Sequence, residues 1–485
     1  MTGMVSRSTV CLALACCVQA AAAADWPCFR GPGCRGVAAD DPRLPARWSD
    51  TKNVRWKVDL DGRGWSSPIV SGGRVMLTTA IPPAAPEDAK KGLYFGGERP
   101  DVAAGEVRWV VTCLDAATGR TRWETVIARG PAPGPIHVKN SYASETPLTD
   151  GERIYAAFAG TGIVCLDMEG NRVWEHRWRP RPMRSGWGPA ASPVLHGGRL
   201  YVVNDNEHDS FVAALDARTG REIWRRARDE KSNWSTPFVW ENGLRTELVT
   251  PGTGTTRSYA LDGTLLWELA GGSAITIATP YAAHGLLYVS SGFVLDRTRP
   301  IWAIRPGGRG DLTLPDGADA SPAIAWCRRD AAPYNPTTLV YGDELYVLAD
   351  RGLMACYDAR TGRQHYRKER LPEGRAFTAS PWAANGLVFC ANEYGETFVV
   401  QAGPTFRLLH TNLLAEDDML MASPAIADGR LFLRTDRRLY CLEEFAAASR
   451  RRSSHPAARA AMATAAAEDG SGTAATPTAG GDDAL

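Results

Sequence analysis

The sequence carries almost no net charge: 55 Lys plus Arg stand against 54 Asp plus Glu, a formal +1 over 485 residues. No global field therefore draws the chain to nucleic acid or to an anionic membrane, and charge-driven binding must come from local patches. Histidine is scarce, with 8 residues and no zinc-ligand spacing among them. No Gly-x-Ser-x-Gly elbow occurs, which removes the usual hydrolase nucleophile. Gly252-Thr253-Gly254-Thr255-Thr256 is Gly-rich, but no Lys-Ser/Thr follows it, so it is not a phosphate loop. Cys-x-x-Cys-His, which would attach haem, is missing. Past the first residues, no stretch approaches the ~18 apolar residues needed to cross a bilayer.

What is present begins with an export signal. Arg7 gives a positive start, residues 8–18 are mostly Ala, Val, Leu and Cys, and Ala22-Ala23-Ala24 offers a cleavage site before Asp25. Residues 1–24 thus read as a signal peptide, and the mature chain as a periplasmic or extracellular monomer. Lipid anchoring is not expected, because Cys16 has Ala three residues before it and Cys17 follows another Cys. Export makes the cysteines interpretable. Cys113, Cys165, Cys356 and Cys441 each precede a Leu-Asp, Tyr-Asp or Leu-Glu pair, where other repeats have Ala214 and Ala260. They read as small buried strand residues in separate blades. Cys28 and Cys34, flanking Arg30-Gly31-Pro32-Gly33, are close enough in sequence to suggest a local disulfide.

An internal repeat organises the rest. Units such as Ser67-Pro68, Thr146-Pro147, Ser192-Pro193, Thr236-Pro237, Thr279-Pro280, Thr337-Thr338, Ser380-Pro381 and Ser423-Pro424 recur at intervals matching the ~40–50 residues of a propeller blade. Each is followed by alternating strands such as Arg199-Leu200-Tyr201-Val202. A turn of the form Leu-Asp-Ala-x-Thr-Gly and then a Trp come next. The copies run from Leu114 to Trp123, Leu166 to Trp174, Leu215 to Trp224 and Leu261 to Trp267, while Tyr357-Asp358 leads to Tyr366 in the Trp place. These aromatics are expected to fill the wedge between blades. The last unit stops at Leu442 without its outer strand, and Asn53-Val54-Arg55-Trp56-Lys57 looks like the missing piece. The fold class is therefore all-β: an eight-bladed β-propeller of four-stranded antiparallel blades over residues 25–446, its ring closed by an N-terminal strand. Residues 81–107 read as a surface insertion. Residues 447–485, with Arg450-Arg451-Arg452, read as a disordered tail.

Leu-Asp-Ala-x-Thr-Gly-x-x-x-Trp resembles the docking motif of PQQ-type repeats, found in quinoprotein alcohol dehydrogenases and in the non-enzymatic assembly lipoprotein BamB. Trp26-Pro27-x-Phe29-Arg30-Gly31-Pro32 and Gly62-Arg63-Gly64-Trp65-Ser66-Ser67-Pro68 look like exported PQQ-like proteins of planctomycete-type bacteria. The resemblance spans roughly residues 25–445. It implies PQQ with calcium as a cofactor, or an assembly role on protein partners. The dehydrogenases also use adjacent cysteines stacked on the cofactor, and the adjacent pair in this chain, Cys16-Cys17, lies inside the signal. Asn204-Asp205-Asn206-Glu207-His208-Asp209 could hold a hard cation, but its spacing lacks the EF-hand glycine and terminal Glu, so a solvated loop is the plainer reading.

Segments entering each blade often pair a cation with an aromatic: Arg63 with Trp65, Lys139 with Tyr142, Arg184 with Trp187, Lys231 with Trp234, and Arg375 with Phe377. Such segments reach the central funnel of a propeller. A ring of cations beside aromatic faces would suit an anionic small-molecule ligand. Equally, the aromatics could pack blade edges while the charges face water. The expected function is a non-catalytic scaffold that binds a ligand or docks a protein. The alternatives are a PQQ-dependent oxidoreductase and a BamB-like assembly factor.

Overall fold

The computed structural model describes residues 25–83, 90–93, 105–414 and 416–445. The signal peptide, Cys16-Cys17, the tail with its arginine run and part of the 81–107 insertion lie outside them. Eight sheets succeed one another as the blades of a propeller. Seven have four strands. The sheet over 238–270 gains a fifth, Gly310–Asp311, lent by the next blade and paired parallel to Trp267 and Glu268. In the final blade, Ala425–Ala427, Arg430–Arg434 and Arg438–Leu442 are completed by β1 (Val54–Asp59). Val54 pairs with Leu442, Trp56 with Cys441 and Val58 with Leu439. The ring closes because β1, from the N-terminal part of the fold, supplies the outer strand of the last blade.

Neighbouring blades are joined by the repeated turn. The Asp115 carboxylate accepts the N–H groups of Ala117 and Thr118 at 3.1 and 3.0 Å and the Thr118 hydroxyl at 2.8 Å. Asp216 and Asp358 do the same for their own turns. The carbonyl so presented receives the indole N–H of the preceding blade: Trp56 to Ala116, Trp123 to Met168, Trp174 to Ala217, Trp224 to Leu261 and Trp326 to Ala359, at 2.9–3.1 Å. The indole then lies flat on the turn glycine. A Cβ on Gly119, Gly170, Gly220, Gly263 or Gly362 would come within 2.4–3.0 Å of that Trp. Glycine is thus required twice, by its positive φ and by the ring above it.

Three details depart from the sequence reading. In the fourth copy the register is two residues earlier, so Tyr259-Ala260 takes the Leu-Asp place and Ser258, not Ala260, sits opposite Trp267. Trp267 finds no turn carbonyl ahead of it, because residues 305–323 interrupt the fifth blade. It donates instead to the buried Glu247 carboxylate at 2.7 Å. Trp326 is a docking residue that the reading missed, since the same insertion separates it from its turn. Tyr366 lies opposite Cys356 and meets Phe406 edge-on at 5.7 Å. Cys113, Cys165, Cys356 and Cys441 are buried in separate blades.

Gly198 and Gly220 share a φ of +71°, but nothing lies within 4 Å of a Cβ on Gly198, whereas one on Gly220 meets Trp174 at 2.4 Å. Gly198→Ala should cost about 1–2 kcal/mol from backbone strain alone, and Gly220→Ala about 1–3 kcal/mol more from overpacking. Urea denaturation of both variants checks this. Equal losses would mean that the indole yields without cost.

Candidate functional site

The inner end of every blade starts with a hydroxyl residue: Ser67, Thr146, Ser192, Thr236, Thr279, Thr337, Ser380 and Ser423 all line one central cavity. Each innermost strand exposes an edge to the axis, so its first N–H needs an acceptor. The next blade's hydroxyl supplies it at six junctions, from Ser67 to Thr146, Thr146 to Ser192, Ser192 to Thr236, Thr279 to Thr337, Thr337 to Ser380 and Ser380 to Ser423, at 2.9–3.0 Å. In the sequence these residues stand out only as markers of the repeat. Their constant hydroxyl, always at the same repeat position, was the signal that could have revealed the ring.

The cavity above the ring has a volume of about 230 Å³. Its wall is aromatic: Trp65, Trp187, Trp234 and Tyr334, with Trp187 and Trp234 centroids 5.7 Å apart. Its floor is the N-terminal segment. Trp26 exchanges backbone hydrogen bonds with Val70 at 2.8 and 2.9 Å, Pro27 accepts the Thr149 N–H, and Gly36 and Ala38 join Ala383. Between them Phe29 lines the cavity. The buried Arg30 guanidinium donates to the carbonyls of Cys34, Arg35, Thr338 and Pro381 at 3.1–3.2 Å. Burial without a carboxylate pushes Arg30 down to about 10.

Of the ten residues predicted to encircle the funnel, Trp65, Lys139, Trp187 and Trp234 line it. The others do not. Phe377 is buried against Phe398, and the Tyr142 hydroxyl turns back to the Gly134 carbonyl at 2.7 Å. Lys231 is exposed and reaches the Glu207 carbonyl, while exposed Arg375 stacks 4.1 Å above Tyr394. Arg63 and Arg184 are half-buried outside the lining. There is no ring of cations, because long flexible side chains find water or nearer partners. Lys139 is itself neutralised: its ammonium pairs with the fully buried Glu393 carboxylate and donates to Gly92 at 2.6 Å. Gly92 donates in turn to Glu393, which sets Leu93 against the cavity. The described part of the expected surface insertion therefore reaches the funnel. Beside it His137 meets Trp187 edge-on at 5.4 Å, and burial together with Lys139 lowers its pKa to about 4, so the ring is neutral.

The acidic loop over 204–209 holds its charges internally. Buried Asp205 is bridged by Arg228 at 2.8 and 3.1 Å, Asp209 pairs with Arg181, and Glu207 accepts from Ser232. At Gly252, a Cβ would collide with the Glu230 carboxylate at 2.4 Å, so an acid occupies the space a phosphate would need.

The fold and its repeats define a PQQ-like β-propeller. A model described as outer membrane protein assembly factor BamB matches residues 35–207, 90–242 and 208–444, and the chain belongs to that family. The BamB of Burkholderia pseudomallei is 24% identical over 205 residues, covering 38% of this chain and 50% of its own. The polyvinylalcohol dehydrogenase of a Sphingopyxis species is 26% identical over 205 residues, 35% of this chain and 28% of its own. The chain thus spans half or less of these relatives. The quinohemoprotein alcohol dehydrogenase of Comamonas testosteroni superposes with a TM-score of 0.56 at 11% identity, over 87% of this chain and 80% of that one, which speaks for the fold alone.

Calcium-bound PQQ would need carboxylates facing the funnel. Among the described residues the cavity lining includes the amides Asn140 and Asn335 but neither Asp nor Glu, and Glu393, which pairs with the lining Lys139, is also engaged by Gly92 and Thr378. This donor set does not fit that cofactor.

One acid beside the ring stands apart. Glu145 precedes Thr146, is fully buried, accepts the Gly160 N–H at 2.8 Å through one oxygen and leaves the other without a partner among the described residues. Burial raises its pKa to about 7. A carboxyl raised on folding binds its proton more tightly in the native state, so its contribution is present below the unfolded pKa near 4.5 and is lost as pH rises through 7. Glu145→Gln should therefore gain about 2–3 kcal/mol relative to the native chain on moving from pH 5 to pH 8. Denaturation curves at both values test this, and a pH-independent difference would refute it.

Proposed function

We propose that this chain is an exported PQQ-like propeller whose funnel holds a small uncharged saccharide without transforming it. The supporting observation is a pair of orphan donors: the indole N–H groups of Trp65 and Trp187 belong to cavity-lining side chains and are buried with no hydrogen-bond partner among the described residues. The Thr279 hydroxyl on the ring is in the same state. A buried donor without a partner costs about 1–3 kcal/mol, which a ligand oxygen would recover. Aromatic faces suit the C–H side of a sugar ring, and hydroxyl oxygens suit the indoles. Because Lys139 is already paired, nothing favours an anion. The volume of about 230 Å³ suits one ring and lies just under the ~300 Å³ at which ligand pockets usually begin.

A protein-docking role is the second reading. It rests on family membership and on a stack at the funnel rim, where Arg375 and Lys91 lie 4.1 and 5.3 Å from the Tyr394 ring centroid. Arg and Tyr are the residues most often found at the energetic centre of an interface.

The reading is tested by thermal-shift titration of the purified chain with neutral mono- and disaccharides, with PQQ plus calcium, and with calcium alone. A saturable shift is expected with a saccharide. Trp65→Phe and Trp187→Phe, which keep the ring and remove the N–H, should each weaken it roughly 3–10-fold. No response across the panel at ~10 mM would sink the proposal. A saturable response to PQQ above that to calcium would replace it with the dehydrogenase reading.

A further inference from the structure

The unused hydrogen-bonding groups of the funnel lining are unequal in kind. Three of them donate and cannot accept. Two are the indole N–H groups of Trp65 and Trp187, buried without a partner among the described residues. The third belongs to His137, another lining side chain. Its Nδ1 accepts the backbone N–H of Lys139 at 3.1 Å. A neutral imidazole that accepts through one nitrogen carries its proton on the other, so Nε2 is an N–H donor.

Acceptors are scarcer. The lining holds two side-chain amides, Asn140 and Asn335. Asn140 Oδ1 is taken by the Ser141 N–H at 2.8 Å and the Ser144 hydroxyl at 2.6 Å. Asn335 is moored from its other end: Nδ2 donates to the buried Asp350 carboxylate at 2.7 Å. The backbone N–H groups of Tyr334 and Asn335 reach the same carboxylate at 2.9 Å. Only the nitrogen end can make that bond, so the amide orientation is fixed and Oδ1 is left over. The ring hydroxyls can both give and take, so they do not select. Leu93, Ala190, Ile277 and Met421 supply apolar surface, and Phe29 adds to it from the floor. Cys28 and Cys34 beside Phe29 are free thiols rather than the disulfide their spacing suggests, and Cys28 Sγ donates to the Gly31 carbonyl at 3.3 Å.

A sugar hydroxyl that accepts from an indole brings a proton of its own, which in a closed pocket needs an acceptor. A carbonyl takes two N–H groups and brings none. We propose that the saccharide of the funnel is an N-acetylated amino sugar and that Asn335 reads its acetamido group; this rests on the saccharide reading of the same cavity. The acetamido carbonyl accepts from the unpartnered N–H groups, its N–H donates to Asn335 Oδ1, and its methyl meets the apolar lining. Asp350 stands outside the lining and acts through Asn335 and Tyr334, as a positioning residue.

The full chain is titrated with glucose, glucosamine and N-acetylglucosamine by calorimetry, and saturation transfer to the bound sugar is read by NMR. N-acetylglucosamine should bind roughly tenfold tighter than glucose, the effect of about one added hydrogen bond. Its acetyl methyl should receive saturation at least as strongly as the ring protons. Asn335→Ala should cut the preference to about threefold or less. A change that merely loosened the rim would weaken both sugars alike and keep the ratio. Equal affinities for glucose and N-acetylglucosamine, or a ratio unmoved by Asn335→Ala, would overturn the acetamido assignment and leave the saccharide reading standing. Glucosamine binding as tightly as its acetylated form would overturn it too. No binding of any of the three at ~10 mM, where even a millimolar site fills, would overturn both readings.

Discussion

A propeller has to satisfy the edges of eight strands that face its own axis. The outer edges are exposed to water, but the inner ones converge where little water can enter, and an amide left unpaired there costs about as much as a lost hydrogen bond. The hydroxyl ring from Ser67 to Ser423 meets this constraint at six junctions by passing the inner N–H to the next blade. The arrangement fixes what can stand at the axis. Side chains must be short, they must carry an oxygen, and the following Pro in most repeats has no N–H of its own to satisfy. The same ring leaves hydroxyl protons that no backbone group requires, so the device that closes the fold also makes the cavity polar at its base.

The blade joints were legible in the sequence because their chemistry is local. Asp, Thr and Gly lie within one turn, and the Trp follows a few residues on, so a single window contains the motif. Where residues 305–323 break that window, the physics persists but the pattern does not: Trp326 docks on Ala359 and Gly362 just as Trp174 docks on Ala217 and Gly220. The two-residue slip at Tyr259-Ala260 has a similar origin. Asp262 sits in the turn and bonds Thr264, which makes Leu261-Asp262 look like the motif, while register is decided by Gly263 beneath Trp224.

The site was less legible because its content depends on distant pairings. Lys139 and Glu393 are 254 residues apart, and their contact turns an apparent funnel cation into part of a neutral cluster. Aromatic rings near the axis could be foreseen from position alone, and three of the five lie in the lining. Their charged neighbours could not, since nothing in a local pattern says which partner a long side chain will find. The same holds for Arg30: only the assembled ring shows that Trp26-Pro27-x-Phe29-Arg30 seals the axis, with carbonyls from two remote blades meeting one guanidinium.

These assignments bear on why kinship says so little about activity in this fold. The residues that make the chain recognisable as a PQQ-like propeller are engaged in construction: Asp and Gly shape turns, Trp binds blade to blade, hydroxyls close the ring, and the N-terminal motif fills the axis. None of those roles changes with the ligand. What can change lies in the segments between blades, where Trp65, Trp187, Trp234 and Tyr334 stand on a fixed rim without belonging to the repeat. A relative can keep every construction residue and substitute these, and so change what the funnel can hold. Function in such a chain is therefore to be argued from its linkers, and in this one they bring aromatic rings to the cavity.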